Sequence, residues 1–599
     1  MRITKLFSSA KLIERSTNCC RVVRNYCSSK DTSGTKEGKT DSNKKGLVVG
    51  VYKTKNKFEL TPIAQEINQK SGDKLTEHLN SELCGELRLG KAFTLTDVVP
   101  EYSAIAITCF GPKDAGYNAL ESLDEARENI RWGVGAGVKL LKARGCGLIE
   151  VDPANAPDAA AEGAMLAAWR FQKFKTKDSR KTKCHVKLYG NEGKELWTLG
   201  AIYGEAQNWA RYLSDMPANK MTPVDLAQAA IDVLCPLGVS VEAHDREWIK
   251  AQRMQAFLAV ARGSCDTPMF LECIYRPGAV TAAPVLLAAK GVTFDSGGLC
   301  LKDCNMMLDN RGSMAGAAVV LAAIKIIAKL KLPINVSAVI PICENMVSGQ
   351  CMKVGDVVKA LNGLSIEIEN TDMEGRLMMA DALVYGQSLF KPAMVIDVAT
   401  FTLQCKMTNM IRMSCCGCYK VWNLIPTKKF VIDSGLYLFA DTAKSLRNRE
   451  PQRIDGVLMA TGGGAFGCFS NSESAWRAVQ AAGVVTGDRP WRFPLWKYFH
   501  KQITNDPAVD LRNKGSGHGT PCLGAAFLKN FVCCDWVHMD ITGVGKVTEW
   551  GAVPYLQARR MSGRPARTLA ALLHHVAAAS ANDKDKNKKQ EPTPCAAKS

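Results

Sequence analysis

The chain has no run of about 18 consecutive apolar residues, the length a helix needs to cross a bilayer, so membrane insertion is not expected. Nothing before residue 30 combines an apolar segment with a small-residue cleavage site, so a secretory signal is not expected either. Zinc-finger spacing is missing, as is the interleaving of aromatic and basic residues found on nucleic-acid-binding sheets. The formal net charge of +19 therefore does not make nucleic acid a partner; much of it comes from the two ends and from scattered lysines. The 23 cysteines sit mostly among apolar residues and read as buried thiols of a reducing compartment. Two clusters, Cys415-Cys416-Gly417-Cys418 (with Cys405 nearby) and Cys533-Cys534, lack a second pair at structural-zinc spacing.

What is present is a 599-residue globular composition, 46% hydrophobic and 23% charged, long enough for two or more domains. Residues 1–30 hold seven Arg or Lys and a single acid, Glu14, in an amphipathic pattern that fits a mitochondrial transit peptide. The expected localisation is mitochondrial, with the cytoplasm as the other reading. Residues 31–45 are a polar linker. Alternating strand and helix signals over 46–190 predict an N-terminal α/β domain, and 191–216 a linking helix. Residues 217–578 begin a second α/β alternation, closed by a helix over 566–579 with Pro565 just before it. The tail, 579–599, reads as disordered.

The chemistry is concentrated between Lys290 and Arg376. Val285, Leu286 and Leu287 read as a buried strand and Gly297-Gly298 as a turn, so Asp295 falls at a strand end, where open α/β sheets place their sites. Asp372, Glu374 and Arg376 are spaced by two, which in an extended segment turns all three to one side. Carboxylates converging there need a counter-charge, and a divalent metal pair supplies one. A buried ion-pair network of Lys290 and Arg376 with Asp295, Asp372 and Glu374 is the alternative.

The strings Lys290-Gly-Val-Thr-Phe-Asp295-Ser-Gly-Gly298 and Asn370-Thr-Asp372-Met-Glu374-Gly-Arg376 resemble those of the leucine aminopeptidase (cytosol aminopeptidase) family. Cys343-Glu344-Asn345-Met346, Gly355-Asp356-Val357-Val358, Thr486-Gly487-Asp488-Arg489 and Ser562-Gly563-Arg564-Pro565 extend the match over nearly all of 46–578. The resemblance implies an N-terminal α/β domain, a linking helix and a C-terminal two-metal domain around a mixed sheet, assembled as a homohexamer or a related hetero-hexamer. It implies Lys290, Asp295, Asp372 and Glu374 as ligands of zinc or manganese, and Lys302 and Arg376 as the catalytic basic residues. Lys302 is expected to stabilise the oxyanion and Arg376 to hold a bicarbonate base. Asn310, Asn370, Thr400, Phe401 and Leu403 are expected around the substrate, a peptide losing a leucine-like N-terminal residue.

Three departures set this chain apart. Ser313 stands where the family has a metal-ligating Asp, leaving one or two metals per subunit as the expectation. Asp309, four residues earlier, is not expected to replace it. Without that carboxylate, Lys290 is expected to stay protonated at the second metal's place, paired with Asp295 and Glu374. Leu403 replaces the glycine of an Ala-Thr-Leu-Thr-Gly loop, here Ala399-Thr400-Phe401-Thr402-Leu403. An insert, about 404–453, follows without a family counterpart. The chain is also similar to the leucyl-aminopeptidase-like proteins of insect sperm mitochondrial derivatives, which implies a second function: a catalytically degenerate structural or assembly protein.

Overall fold

The computed structural model describes residues 44–54, 57–80, 87–277, 282–401, 457, 461–546 and 553–588. The expected leader, nearly all of the linker, Leu403, the 404–453 insert with its cysteine cluster and the end of the tail lie outside them.

The first strand among the described residues, Lys45–Lys53, is the centre of a sheet in the order Ala92–Leu95, Ala104–Cys109, Lys45–Lys53, Leu148–Val151, His185–Leu188. The inner strands are parallel, and Phe58–Leu60 returns antiparallel onto the first. Both faces of Lys45–Lys53 are buried, which is why it reads as continuous Leu-Val-Val-Gly-Val rather than as an alternation. The helix Glu125–Ala143, capped by the Asp124 carboxylate, packs on one face, close enough that a Cβ on Gly137 would lie 2.7 Å from Val48.

The helix Lys194–Asp215 leads to the larger sheet. Its order is Arg489–Arg492, Ala465–Ser470, Asp535–Asp540, Met394–Ala399, Val285–Ala289, Val336–Asn345, Met269–Tyr275, Ser240–His244. The four strands from Asp535 to Asn345 in this order run parallel, and Gly291–Asp295 adds to the end of Val336–Asn345. The helix Ala315–Lys329 fills one face of this sheet with Val, Leu, Ile and Ala side chains; Glu374–Phe390 covers the other. By length and composition Leu308–Lys329 is apolar enough to cross a membrane, but 89% of that window is buried in the protein, where it is a core helix. The closing helix extends from Ala566 to Lys588, into the segment expected to be tail.

The two halves are joined by buried charge. Glu162 accepts from Arg131 Nε at 2.6 Å and from Arg567 Nη1, while Arg567 Nε donates to Gln207 at 2.6 Å. Tyr555 donates to Glu128 at 2.9 Å, and Arg564 pairs with Asp488. Burial alone would raise the Glu162 carboxyl, but Arg131 and Arg567 outweigh it and hold it below the usual range. Replacing Glu162 by alanine removes the carboxylate that two buried guanidiniums share. The expected cost is about 3–5 kcal/mol, read as a lower unfolding midpoint in urea.

Candidate metal centre

The carboxyl ends of the parallel strands Val285–Ala289, Met394–Ala399 and Asp535–Asp540 open onto one region, the usual ligand position in such a sheet. Lys290 follows the first strand, Thr400 and Phe401 the second, and Thr542 the third. From one layer the turn Leu308–Met314 brings Asn310 and Ser313. From the other, the start of Glu374–Phe390 brings Glu374 and Arg376.

One carboxylate oxygen each from Asp295, Asp372 and Glu374 lies within 4.8 Å of the other two. Two lysines balance them. Lys290 Nζ pairs with Glu374 at 2.5 Å and donates to the Thr400 carbonyl at 3.0 Å. Lys302 Nζ lies 3.2 Å from Asp295 and pairs with Asp372 as well. Lys290 thus takes Glu374 as expected but not Asp295, whose ion-pair partner is Lys302.

Burial pushes Asp372 up to about 7, with Asp295 and Glu374 adding to the rise and Lys302 opposing it. Glu374 is also raised, by burial first and by Asp295 next. Burial acts upward on Asp295 too, but Lys302 and Lys290 outweigh it, and the carboxyl ends below its ordinary value. Opposed shifts in one cluster mark a candidate functional site.

The backbone that holds these groups explains their spacing. In the sheet register Asp295 faces Asn345, whose Nδ2 donates to Asp295 Oδ1 and to the Thr371 carbonyl at 3.0 and 3.1 Å. Gly297 N–H donates to the same carboxylate at 3.0 Å. Gly297 and Gly298 both have positive φ, and a Cβ on Gly297 would come within 2.5 Å of the Cys300 carbonyl. Asn370 Oδ1 accepts from Asp372 N–H at 2.8 Å, and Asn513 accepts from the N–H groups of Glu369 and Asn370. Asn345 was quoted in a motif without a role, and Asn513 carries no sequence signal at all: it holds the site only because Leu511–Arg512 pairs with Ser365–Glu367.

The expectation that Asp372, Glu374 and Arg376 share one side of an extended segment is corrected. Asp372 precedes a helix whose first residue is Glu374, and in a helix a spacing of two turns side chains apart. Arg376 accordingly donates to the Asn513 carbonyl and lies over the Phe401 ring, 5.2 Å from its centroid. Its Nη2 is buried without a hydrogen-bond partner, and burial brings the guanidinium down to about 10, against the pull of Glu374 and Asp540. The Phe401 ring also meets His538 edge-on at 4.9 Å, and its N–H donates to Thr542 at 2.9 Å.

Ser313 is buried beside the cluster, and its carbonyl accepts from Thr400 Oγ1 at 3.0 Å. Asp309 does not take its place: it pairs with Arg311 at 3.3 Å. A residue absent from the expectations, Lys546, enters from the loop beyond Asp535–Asp540 and donates to Asn310 Oδ1 at 3.2 Å. Burial, then Lys302 and Lys290, bring its ammonium down to about 8. Cys533 and Cys534 both approach Gln387 Oε1, and every cysteine among the described residues is a free thiol.

Comparison with known proteins identifies the lineage. The model of the cytosol aminopeptidase family, catalytic domain, matches residues 208–416 and 455–570, and that of the N-terminal domain matches 48–178. The chain belongs to the cytosol aminopeptidase family. It is 37% identical to the cytosol aminopeptidase of Xenopus tropicalis over 92% of this chain and 95% of that one. With the Homo sapiens cytosol aminopeptidase it shares 36% identity over 90% and 93% of the two chains. Among solved structures, the bottromycin maturation enzyme BotP in complex with Mn superposes with a TM-score of 0.69 at 22% identity, covering 90% of this chain and all of that one, a likeness of fold. The catalytic-domain match leaves 417–454 unmatched, a stretch that overlaps the expected 404–453 insert.

Three buried carboxylate oxygens within 4.8 Å are a hard donor set that fits a divalent cation. Asn345→Leu is expected to weaken that cation's affinity about 10- to 100-fold without unfolding the chain, as measured by competition with a chelating dye. With Asp372 near 7 and Glu374 raised, binding requires protons to leave. Metal content at equilibrium should therefore fall as the pH drops below about 7, and calorimetry in buffers of different ionisation enthalpy should detect the released protons.

Proposed function

We propose that this chain removes single residues from the free N-terminus of peptides, with one tightly held divalent cation and a second site weakened by Ser313. The crowding of Asp295, Asp372 and Glu374 carries the reading. Those three residues would hold the cation, with Lys290 beside Glu374. Such a cation supplies Lewis acidity for activating water and polarising a peptide carbonyl.

The chain's own side chains account for the remaining steps. Lys302, held by Asp295 and Asp372 and buried, stays protonated and offers its N–H groups to the oxyanion that develops on the peptide carbonyl. Arg376 offers its unpartnered Nη2 to an anionic base such as bicarbonate, while Phe401 covers the guanidinium and excludes water from it. The inward path of Lys290 and the Asn345 bond to Asp295 keep the donors in place before substrate arrives.

Ser313 favours a second reading, in which a weakened site leaves a largely structural protein. A serine hydroxyl is neutral where the family carries a carboxylate, and Lys290 Nζ, 2.5 Å from Glu374, already engages that carboxylate. Both readings are separated by metal titration of the purified chain together with turnover of leucyl anilide and of a peptide panel with free or acetylated N-termini. The expected result is one tight site per chain and slow turnover of free N-termini only. Ser313→Asp should create a second tight site and raise turnover by at least about tenfold, equivalent to about 1.4 kcal/mol of barrier. Two tight sites in the unmodified chain overturn the proposal of a weakened second site. No turnover in either chain, with metal bound, leaves the structural reading.

A further inference from the structure

Asn310 and Lys546 meet at the edge of the metal centre, and their polar groups are mismatched. Both are buried, with 2% and 7% of their surface exposed. Their mutual bond uses one of the three Lys546 N–H groups, and it is the ammonium's one hydrogen-bond acceptor among the described residues. The other side of the same amide, Asn310 Nδ2, is buried with no partner. Among the described residues the ammonium has no carboxylate and the amide N–H₂ no acceptor, and each is costly when buried. Both lack the same thing, an oxygen that accepts.

The surroundings define which acceptor. Asn310 lies one turn before Ser313, in the segment that borders the cluster, and Lys546 stands within electrostatic reach of Lys302, Lys290 and Asp295. Lys302, assigned above to the first peptide carbonyl, and Lys546 act on the same carboxylate, Asp295, which ties the Asn310–Lys546 pair to the first residue of a peptide rather than to a later one. An aliphatic side chain there would leave Lys546 and Asn310 unsatisfied, whereas a carboxylate would pair with the ammonium and accept from the amide.

We propose that Lys546 and Asn310 form the receptor for the side-chain carboxylate of an N-terminal aspartate or glutamate, so that this chain prefers peptides with an acidic first residue to those with leucine. The assignment rests on the aminopeptidase reading and adds the substrate class to it. Lys546 reads the charge and Asn310 Nδ2 donates to the same carboxylate, while the Asp295 cluster reads the peptide terminus. The same donors would suit a free dicarboxylate, which lacks the terminal amine.

The test is calorimetric binding of L-glutamate, L-aspartate, L-leucine and N-acetyl-L-glutamate to the full chain loaded with Mn²⁺, a readout independent of turnover. Glutamate or aspartate should bind about 10- to 100-fold more tightly than leucine. Lys546→Met should abolish that preference and leave leucine binding within about threefold; Lys546→Gln serves in the same way if the methionine chain does not fold. Leucine binding as tightly as glutamate overturns the receptor while leaving the aminopeptidase reading intact. N-acetylglutamate binding as tightly as glutamate identifies a free-anion site and overturns the assignment to an N-terminal side chain. A chain that holds Mn²⁺ but binds none of the four overturns both the receptor and the reading it rests on.

Discussion

Three carboxylates share a buried space less than 5 Å across, and much of the larger domain exists to make that tolerable. At an effective dielectric of about 20, two such charges repel by roughly 3–4 kcal/mol. That exceeds what most single hydrogen bonds return. The cluster is held instead by two lysines from opposite ends of one strand–loop unit, and by amides fixed before either lysine arrives. Asn345 and the Gly297 N–H direct Asp295; Asn370 and Asn513 fix Asp372; the helix start fixes Glu374. The rigid frame therefore gives a divalent cation a ready place, and burial, with Asp295 and Glu374 adding to it, pushes Asp372 toward neutrality.

The frame depends on parallel strands, because only parallel neighbours deliver several chain ends to the same edge of a sheet. Ala289, Ala399 and Asp540 end side by side, so residues separated by more than a hundred positions along the chain become a single site. The two covering helices supply the remainder, one leading out of Ser313 and the other beginning at Glu374. The buried Arg131, Glu162 and Arg567 network serves a different purpose. It ties two helices of the N-terminal domain to the closing helix.

The parts legible in the sequence were those with a local cause. Val285–Ala289 is apolar throughout because it is buried on both faces, and the Gly297-Gly298 turn shows because its backbone needs positive φ. The lysines and acids of the site stood in two dense motifs. What could not be read was set by distant partners. The two-residue spacing of Asp372, Glu374 and Arg376 suggested a strand, but tertiary packing of the following apolar face makes it a helix start, and Arg376 swings toward Phe401. Asn513 and Lys546 carry no motif, since their roles arise only from strand pairing and from a loop that returns to the site. Lys302, expected to act on substrate alone, also holds two of the acids in place.

Ser313 and Lys546 alter the site in the same direction, and this is the reason to consider them together. On the proposed reading Ser313 leaves the inner edge of the cluster without a further carboxylate, and the buried Lys546 places a positive charge within reach of it. Each change weakens the attraction for a second cation, and each strengthens the attraction for an anion. Lys546 donates to an asparagine whose own Nδ2 is buried without a hydrogen-bond partner. Unsatisfied donors in a rigid, buried place are destabilising unless something binds there. On the proposed reading, weaker binding of a second cation and selectivity for an acidic first residue are two consequences of one electrostatic balance at this edge of the cluster.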